Sequence, residues 1–177
     1  MNQTGIHHRV CRHDLLFDFV PDSYFEGVPL GNGELGAMLW FEEDRMVLSL
    51  DRADIWEHRA DQSLEPGMDF ATVLCQTREG SYDTSRRLFD KNRPPDRVWG
   101  NKLPVGRVEW QLPSAPVAFG ARPCIHAAEF SATVRLEQGE LVVVGYLHAT
   151  ENLVALEVEA SGLALPEPQP RAFAARS

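Results

Sequence analysis

Apolar and polar residues alternate with a period of two over long parts of this chain, most regularly in its last third. Val108, Trp110 and Leu112 are interleaved with Arg107, Glu109 and Gln111. Phe130, Ala132, Val134 and Leu136 alternate with Ser131, Thr133, Arg135 and Glu137, and Val154, Leu156 and Val158 with Ala155, Glu157 and Glu159. Successive side chains of a strand point to opposite sheet faces, so this period predicts strands with one apolar and one wet face. Residues 141–147 are nearly all apolar, which predicts a strand buried on both faces, entered through a tight connection at Gln138 and Gly139.

The first half carries a hairpin signal. Residues 28–30 and 35–41 are apolar runs separated by Gly31, Asn32, Gly33 and Glu34, and Gly and Asn tolerate the positive φ that tight hairpin turns require. Residues 45–50 follow as a third strand after the acidic turn Glu42, Glu43 and Asp44. Leu15, Leu16, Phe17, Phe19 and Val20 read as an edge strand closed by Pro21. Phe70, Val73 and Leu74 share one helix face, with a break at Glu79 and Gly80, and Ser81 or Asp83 is placed to cap a second short helix carrying Leu88 and Phe89. Residues 93–100 hold a Pro-Pro pair and read as a loop.

Short antiparallel strands with one wet face imply a mainly β fold, an antiparallel β-sandwich of the super-sandwich type, incomplete, with a short helical insertion. The organisation expected is an N-terminal arm over 1–17, a sandwich domain over 18–161 and a Pro-rich tail or linker over 162–177, where Pro166, Pro168 and Pro170 punctuate an unpatterned stretch.

Composition narrows the function classes. The 177 residues include 44% hydrophobic ones, enough for a packed core, and carry a formal net charge of −9. Phosphate backbones and anionic lipid both repel such a surface, which argues against nucleic-acid and membrane partners. No run approaches the roughly 20 apolar residues needed to span a bilayer, and residues 1–14 lack the apolar stretch of a signal peptide. Cys11, Cys75 and Cys124 are odd in number and form no CxxC, so a disulfide framework is not expected.

Several residues invite chemistry. Asp51, Asp54 and Glu57 surround Trp56, an arrangement a sugar site would use; the plainer reading is solvated carboxylates beside a Trp that covers the core. Gly31 and Gly33 formally make a GxG, but an apolar strand-like run follows instead of a helix, so they read as hairpin glycines. His7, His8, Cys11 and His13 have metal-ligand character at irregular spacing, and a flexible terminus with incidental histidines is the plainer expectation. Trp110 falls on the apolar side of its strand, and Trp99 lies in a loop. No Ser-His-Asp arrangement emerges, and neither a catalytic residue, a metal nor a cofactor is assigned.

The run Tyr24-Phe25-Glu26-Gly27-Val28-Pro29-Leu30-Gly31-Asn32-Gly33-Glu34-Leu35-Gly36-Ala37-Met38-Leu39-Trp40 resembles the opening motif of glycoside hydrolase family 95, an aromatic and a Glu followed by LPLGNGxLGAM. That family includes α-L-fucosidases and α-L-galactosidases. Its members then carry L-N-E-x-x-x-W, where this chain has Leu48-Ser49-Leu50-Asp51-Arg52-Ala53-Asp54-Ile55-Trp56: the Trp matches and the Asn-Glu does not, which marks a divergent branch. Gly80-Ser81-Tyr82, the LPxGRV-like strand at residues 103–108 and a following LxxGE extend the similarity over roughly residues 18–161. The resemblance implies a non-catalytic N-terminal β-sandwich whose catalytic α/α barrel lies elsewhere, with carbohydrate as the partner reached through that barrel. Family members are often exported. By the same analogy Asn32 and Glu34 in the hairpin loop become carbohydrate-contact candidates, alongside Asp51, Trp56 and Glu57. The alternatives are a stand-alone carbohydrate-binding module and a non-functional remnant.

Overall fold

Strand β2 (Leu35–Glu42) shows how sequence becomes sheet: Leu35, Ala37, Leu39 and Phe41 are buried, while Gly36, Met38, Trp40 and Glu42 are half-exposed on the other face. In the computed structural model, which describes residues 3–56, 69–82, 86, 102–165 and 167–172, β2 pairs antiparallel with β1 (Val28–Gly31) on one side and β3 (Arg45–Arg52) on the other. Asn32 shapes the β1–β2 turn. Its Oδ1 accepts from the Glu34 and Leu35 amides at 3.0 and 2.8 Å, and Gly33 takes φ +96°, the left-handed region.

The chain divides into two units, Met1–Ile55 with Pro104–Ser177, and Trp56–Leu103. The first holds two antiparallel sheets. One has five strands in the order β1-β2-β3-β4-β9, with β4 at Gly106–Gln111 and β9 at Gln169–Ala172. The other has four in sequential order: β5 (Ala118–Cys124), β6 (Glu129–Arg135), β7 (Glu140–Leu147) and β8 (Val154–Ser161). The inward faces of both sheets meet in a single apolar cluster. Leu39, Phe41, Met46 and Leu48 come from the first sheet, and Phe119, Phe130, Val134, Leu141 and Val143 from the second. Phe41 and Phe119 touch edge to face at 5.4 Å between ring centroids. The mainly β sandwich expected from alternation is therefore the fold. In the second unit, α2 (Phe70–Arg78) forms where the 3.6-residue period placed it, capped by Asp69, whose Oδ1 accepts from the Thr72 amide at 2.8 Å.

Five local expectations are corrected. Residues 15–20 form no strand: only Phe17 bridges to Ala121, through N···O contacts of 2.9 Å each way, because five crowded apolar residues lack the alternation that a one-sided edge needs. Strand β7 is buried on one face only; Leu141, Val143 and Leu147 point inward while Val142 and Tyr146 are exposed. Glu109, placed by its alternation on the wet side of β4, is 3% exposed. The N-terminal residues Gln3–Cys11 form helix α1 rather than an unstructured arm. Gln169–Ala172, read as part of a tail, adds β9 to the edge of β4. Gly106 permits that pairing, since a Cβ there would stand 2.7 Å from the Arg171 carbonyl oxygen. The second short helix expected after Ser81, with Leu88 and Phe89, and the loop at 93–100 with Trp99 lie largely outside the described residues.

Candidate functional site

The outer face of the five-stranded sheet concentrates the polar chemistry of the first unit. The strand register lines up Gly36 with Asp51, Met38 with Ser49 and Arg107, Trp40 with Val47 and Glu109, and Glu42 with Arg45 and Gln111. A side-chain cleft of about 300 Å³ opens on this face, lined by Tyr24, Trp40, Ser49, Leu50, Asp51, Pro104, Gly106 and Arg107. Its lining is mostly apolar surface with few polar groups, the mixture found in small-molecule sites. The Trp40 indole N–H donates to Ser49 Oγ at 2.9 Å, which fixes the plane of the ring. Tyr24 stands on a one-turn 3-10 helix, Tyr24–Glu26, against the start of β1.

Arg107 joins the cleft to a buried ion network. It pairs with Glu42 at 3.3 Å and with Glu109 through Nε. Glu109 also meets Arg171 at 2.9 Å and Arg45 at 3.7 Å, and Arg45 reaches Glu42 at 3.2 Å. The Glu109 side chain is 4% exposed, so its desolvation is compensated by three guanidinium groups drawn from β3, β4 and β9. The network clamps the β9 edge to the sheet and holds the Arg107 end of the cleft.

The residues singled out in the sequence do not converge on one point. Asp51 sits in the cleft wall. Asn32 spends its amide on the fold: its Nδ2 donates to the His148 and Glu151 carbonyls at 2.9 and 3.3 Å, tying the β1–β2 turn to the β7–β8 turn. Glu34 is exposed beside it, and its carbonyl accepts from the Ala53 amide at 2.8 Å. Asp54 is held by Arg52, at 2.8 and 2.9 Å, and this pairing, led by the Arg52 hydrogen bonds, keeps its carboxyl below the ordinary range. Trp56 is 48% exposed and bridges to Lys102 within the second unit, so it is not a core cover. Glu57 lies outside the described residues.

Tyr24, Trp40, Ser49 and Arg107 were not picked out by sequence reasoning. One signal for Trp40 was present: it falls out of phase with Leu35, Ala37, Leu39 and Phe41, so strict alternation puts its large ring on the non-core face. A Trp on a wet face calls for a reason in a way that a core Trp does not. Chemically, an aromatic wall with one carboxylate, two hydroxyls (Tyr24 and Ser49) and one guanidinium can hold a polyhydroxylated ring, apolar face to the indole and hydroxyls to the charged groups. It offers a single carboxyl group among the described residues that line it, whereas glycosidic cleavage usually takes two across the scissile bond.

A scan against protein-family models finds no match to this chain, and a search of curated proteins finds no relative.

Proposed function

We propose that the chain is the N-terminal, non-catalytic β-sandwich domain of a family 95-like glycoside hydrolase acting on glycans, with α-L-fucosides and α-L-galactosides as the substrates its resemblance suggests. One observation carries the reading. Tyr24 and Trp40, the first and last residues of the run that resembles the family's opening motif, are both walls of the same cleft, and Asp51 faces them from the neighbouring strand. In this reading the sandwich supplies an aromatic and hydrogen-bonding rim for the sugar, while the acid and base that cleave it belong to a separate barrel. The single carboxylate among the described lining residues supports that division of labour.

The test is a titration of the whole chain with L-fucose, L-galactose and fucosylated oligosaccharides, read at the Trp40 indole N–H by NMR. The expected result is weak, saturable binding that moves the Trp40 resonance and is lost in Asp51→Asn, with the loss in Trp40→Ala read by calorimetry. The same cleft also favours a stand-alone carbohydrate-binding module, which would bind an oligosaccharide roughly a hundredfold tighter than a shared rim, a difference of about 2.7 kcal/mol. No perturbation of Trp40 by any of these sugars would overturn both readings.

A further inference from the structure

Helix α1 is nine residues long, too short to persist alone in water, so its docking has to be explained by what it touches. Its last residue, Cys11, is half-buried, and so is Cys124, the last residue of β5. Their sulfurs lie within 4.8 Å of each other, although more than a hundred residues separate them in sequence. Asp14 holds the two segments together. Its side chain is 3% exposed; Oδ1 accepts from the Ile125 amide at 3.0 Å, and Oδ2 accepts from Arg122 Nη2 at 2.8 Å and Nε at 3.0 Å. Asp14 is three residues past Cys11, and Ile125 directly follows Cys124, so this clamp fixes both stretches of chain that carry the thiols. One turn back along α1, the His7 ring meets the His126 ring at 4.4 Å between centroids.

We propose that Cys11 and Cys124 form a reversible disulfide that staples α1 to the end of β5. The Asp14 clamp brings the two sulfurs together in the reduced chain, before any bond exists between them. A cysteine sulfur moves roughly 3 Å between staggered rotamers, which spans the gap that remains. An odd number of widely spaced cysteines hides this pair in the sequence; the fold assembles it.

The surroundings of Cys11 favour a neutral sulfur. Partial burial pushes its thiol up from the ordinary value, the Asp14 carboxylate and Cys124 add to that, and Arg122 opposes it. A thiolate is disfavoured there, whereas a disulfide brings no charge to desolvate. A thiol that resists ionisation is also a poor leaving group, which slows reduction of the bond once it is made. Formation needs an oxidant, and a low-molecular-weight disulfide of the glutathione class supplies it. One protein thiol, as its thiolate, attacks a sulfur of the small disulfide and expels a small thiolate. The other protein thiol, likewise ionised, attacks the protein sulfur of the mixed disulfide and expels the second small thiolate. The small disulfide takes both electrons, and the two protons given up by Cys11 and Cys124 end on the two small thiols. His7 Nε2, 3.6 Å from the Cys11 sulfur, is placed to receive the Cys11 proton on the way. Cys75 stays outside the exchange; its thiol donates to Glu79 Oε1 at 3.4 Å.

The experiment equilibrates the whole reduced chain with mixtures of reduced and oxidised glutathione, traps free thiols by alkylation and maps linked peptides by mass spectrometry. The expected result is a monomer that keeps one free thiol of its three, at Cys75, with Cys11 linked to Cys124. Cys75→Ser should form the same bond, and Cys11→Ser and Cys124→Ser should form none. The bond closes a loop of more than a hundred residues, so oxidation should raise the melting temperature by roughly 5–10 °C. Amide exchange in α1 should slow at least tenfold on oxidation, and neither change should appear in Cys124→Ser. The mapping of the parent chain is independent of how well the serine variants fold. Three free thiols in a folded chain at high oxidised glutathione, a bond from either cysteine to Cys75, a bond formed only between two chains, or α1 exchange that oxidation leaves unchanged would overturn the proposal.

Discussion

Glu109 is the residue on which the outer face of the five-stranded sheet depends. Glu109→Gln keeps the shape of the side chain and removes its charge, leaving Arg45 and Arg107 to share Glu42 while Arg171 loses its pairing to a carboxylate at this position. Removing one member of a buried ion group costs about 3–5 kcal/mol. Arg171 is 55% exposed and keeps its hydration, so the expected loss falls at or below the bottom of that range, roughly 2–3 kcal/mol, seen as a lower urea midpoint at unchanged slope. Variant and parent with the same midpoint would mean the network contributes nothing. Gly33 is the other sensitive position. A Cβ there meets no atom within 4 Å, so the cost of Gly33→Val is purely one of backbone conformation, at φ +96°. A β-branched residue held in that region costs about 1–3 kcal/mol, and the melting temperature should fall accordingly while the sheet register is retained. Sequence alone made Gly33 legible, because turn chemistry is local. It did not make Glu109 legible: alternation predicts which face a residue is on, and the groups that cover that face arrive from β3 and β9.

Among the elements, β2, β3 and β6 could be read directly because each places apolar side chains on one face without interruption. Strand β5 could not. Its AFGARPC sequence holds Gly120 and Pro123, residues of low strand preference, and only Phe119 and Ala121 reach the core beside its backbone pairing to β6. Strand β9, QPRA, has no apolar stripe at all and is fixed by its ladder to β4 and by Arg171. In α2 the N-cap carries a testable electrostatic signature. The Thr72 amide, donating to Asp69, holds that carboxyl below its ordinary value of 3.8. A depressed folded-state value means that the stabilisation is fully present above pH 3.8 and is lost as the pH falls through the lower folded value. Amide exchange at Thr72, corrected for intrinsic rates, should therefore lose protection only on acidification below that range. In Asp69→Ala the protection should be absent at neutral pH and its acid step should vanish. An acid step that persists in the variant would assign it to another group.

For the whole molecule, the expectation is sugar contact without turnover. Purified chain incubated with nitrophenyl α-L-fucoside and α-L-galactoside across a range of pH should release nitrophenol at the buffer rate. Release well above that rate, abolished by Asp51→Asn, would make the sandwich catalytic in its own right. The overall architecture was legible because period-two alternation recurs through both halves of the chain. The cleft and the meeting of Cys11, Asp14 and Cys124 were not, since each brings together residues of separate elements that no local pattern specifies: Tyr24 with Arg107, and Cys11 with Cys124. The pairing of β3 with β4 has a consequence of a different kind. The chain leaves the sheet at Arg52 and returns at Gly106, yet the two strands lie side by side with Arg45 opposite Gln111 and Leu50 opposite Gly106. Closing an excursion of about fifty residues costs only about 2 kcal/mol more than closing a tight turn, because each doubling of length adds about 0.6 kcal/mol. The ladder, not the connection, sets the register. Residues 53–105 are therefore a place where length can drift over evolutionary time, gaining or shedding whole segments, while the strands on either side keep their partners.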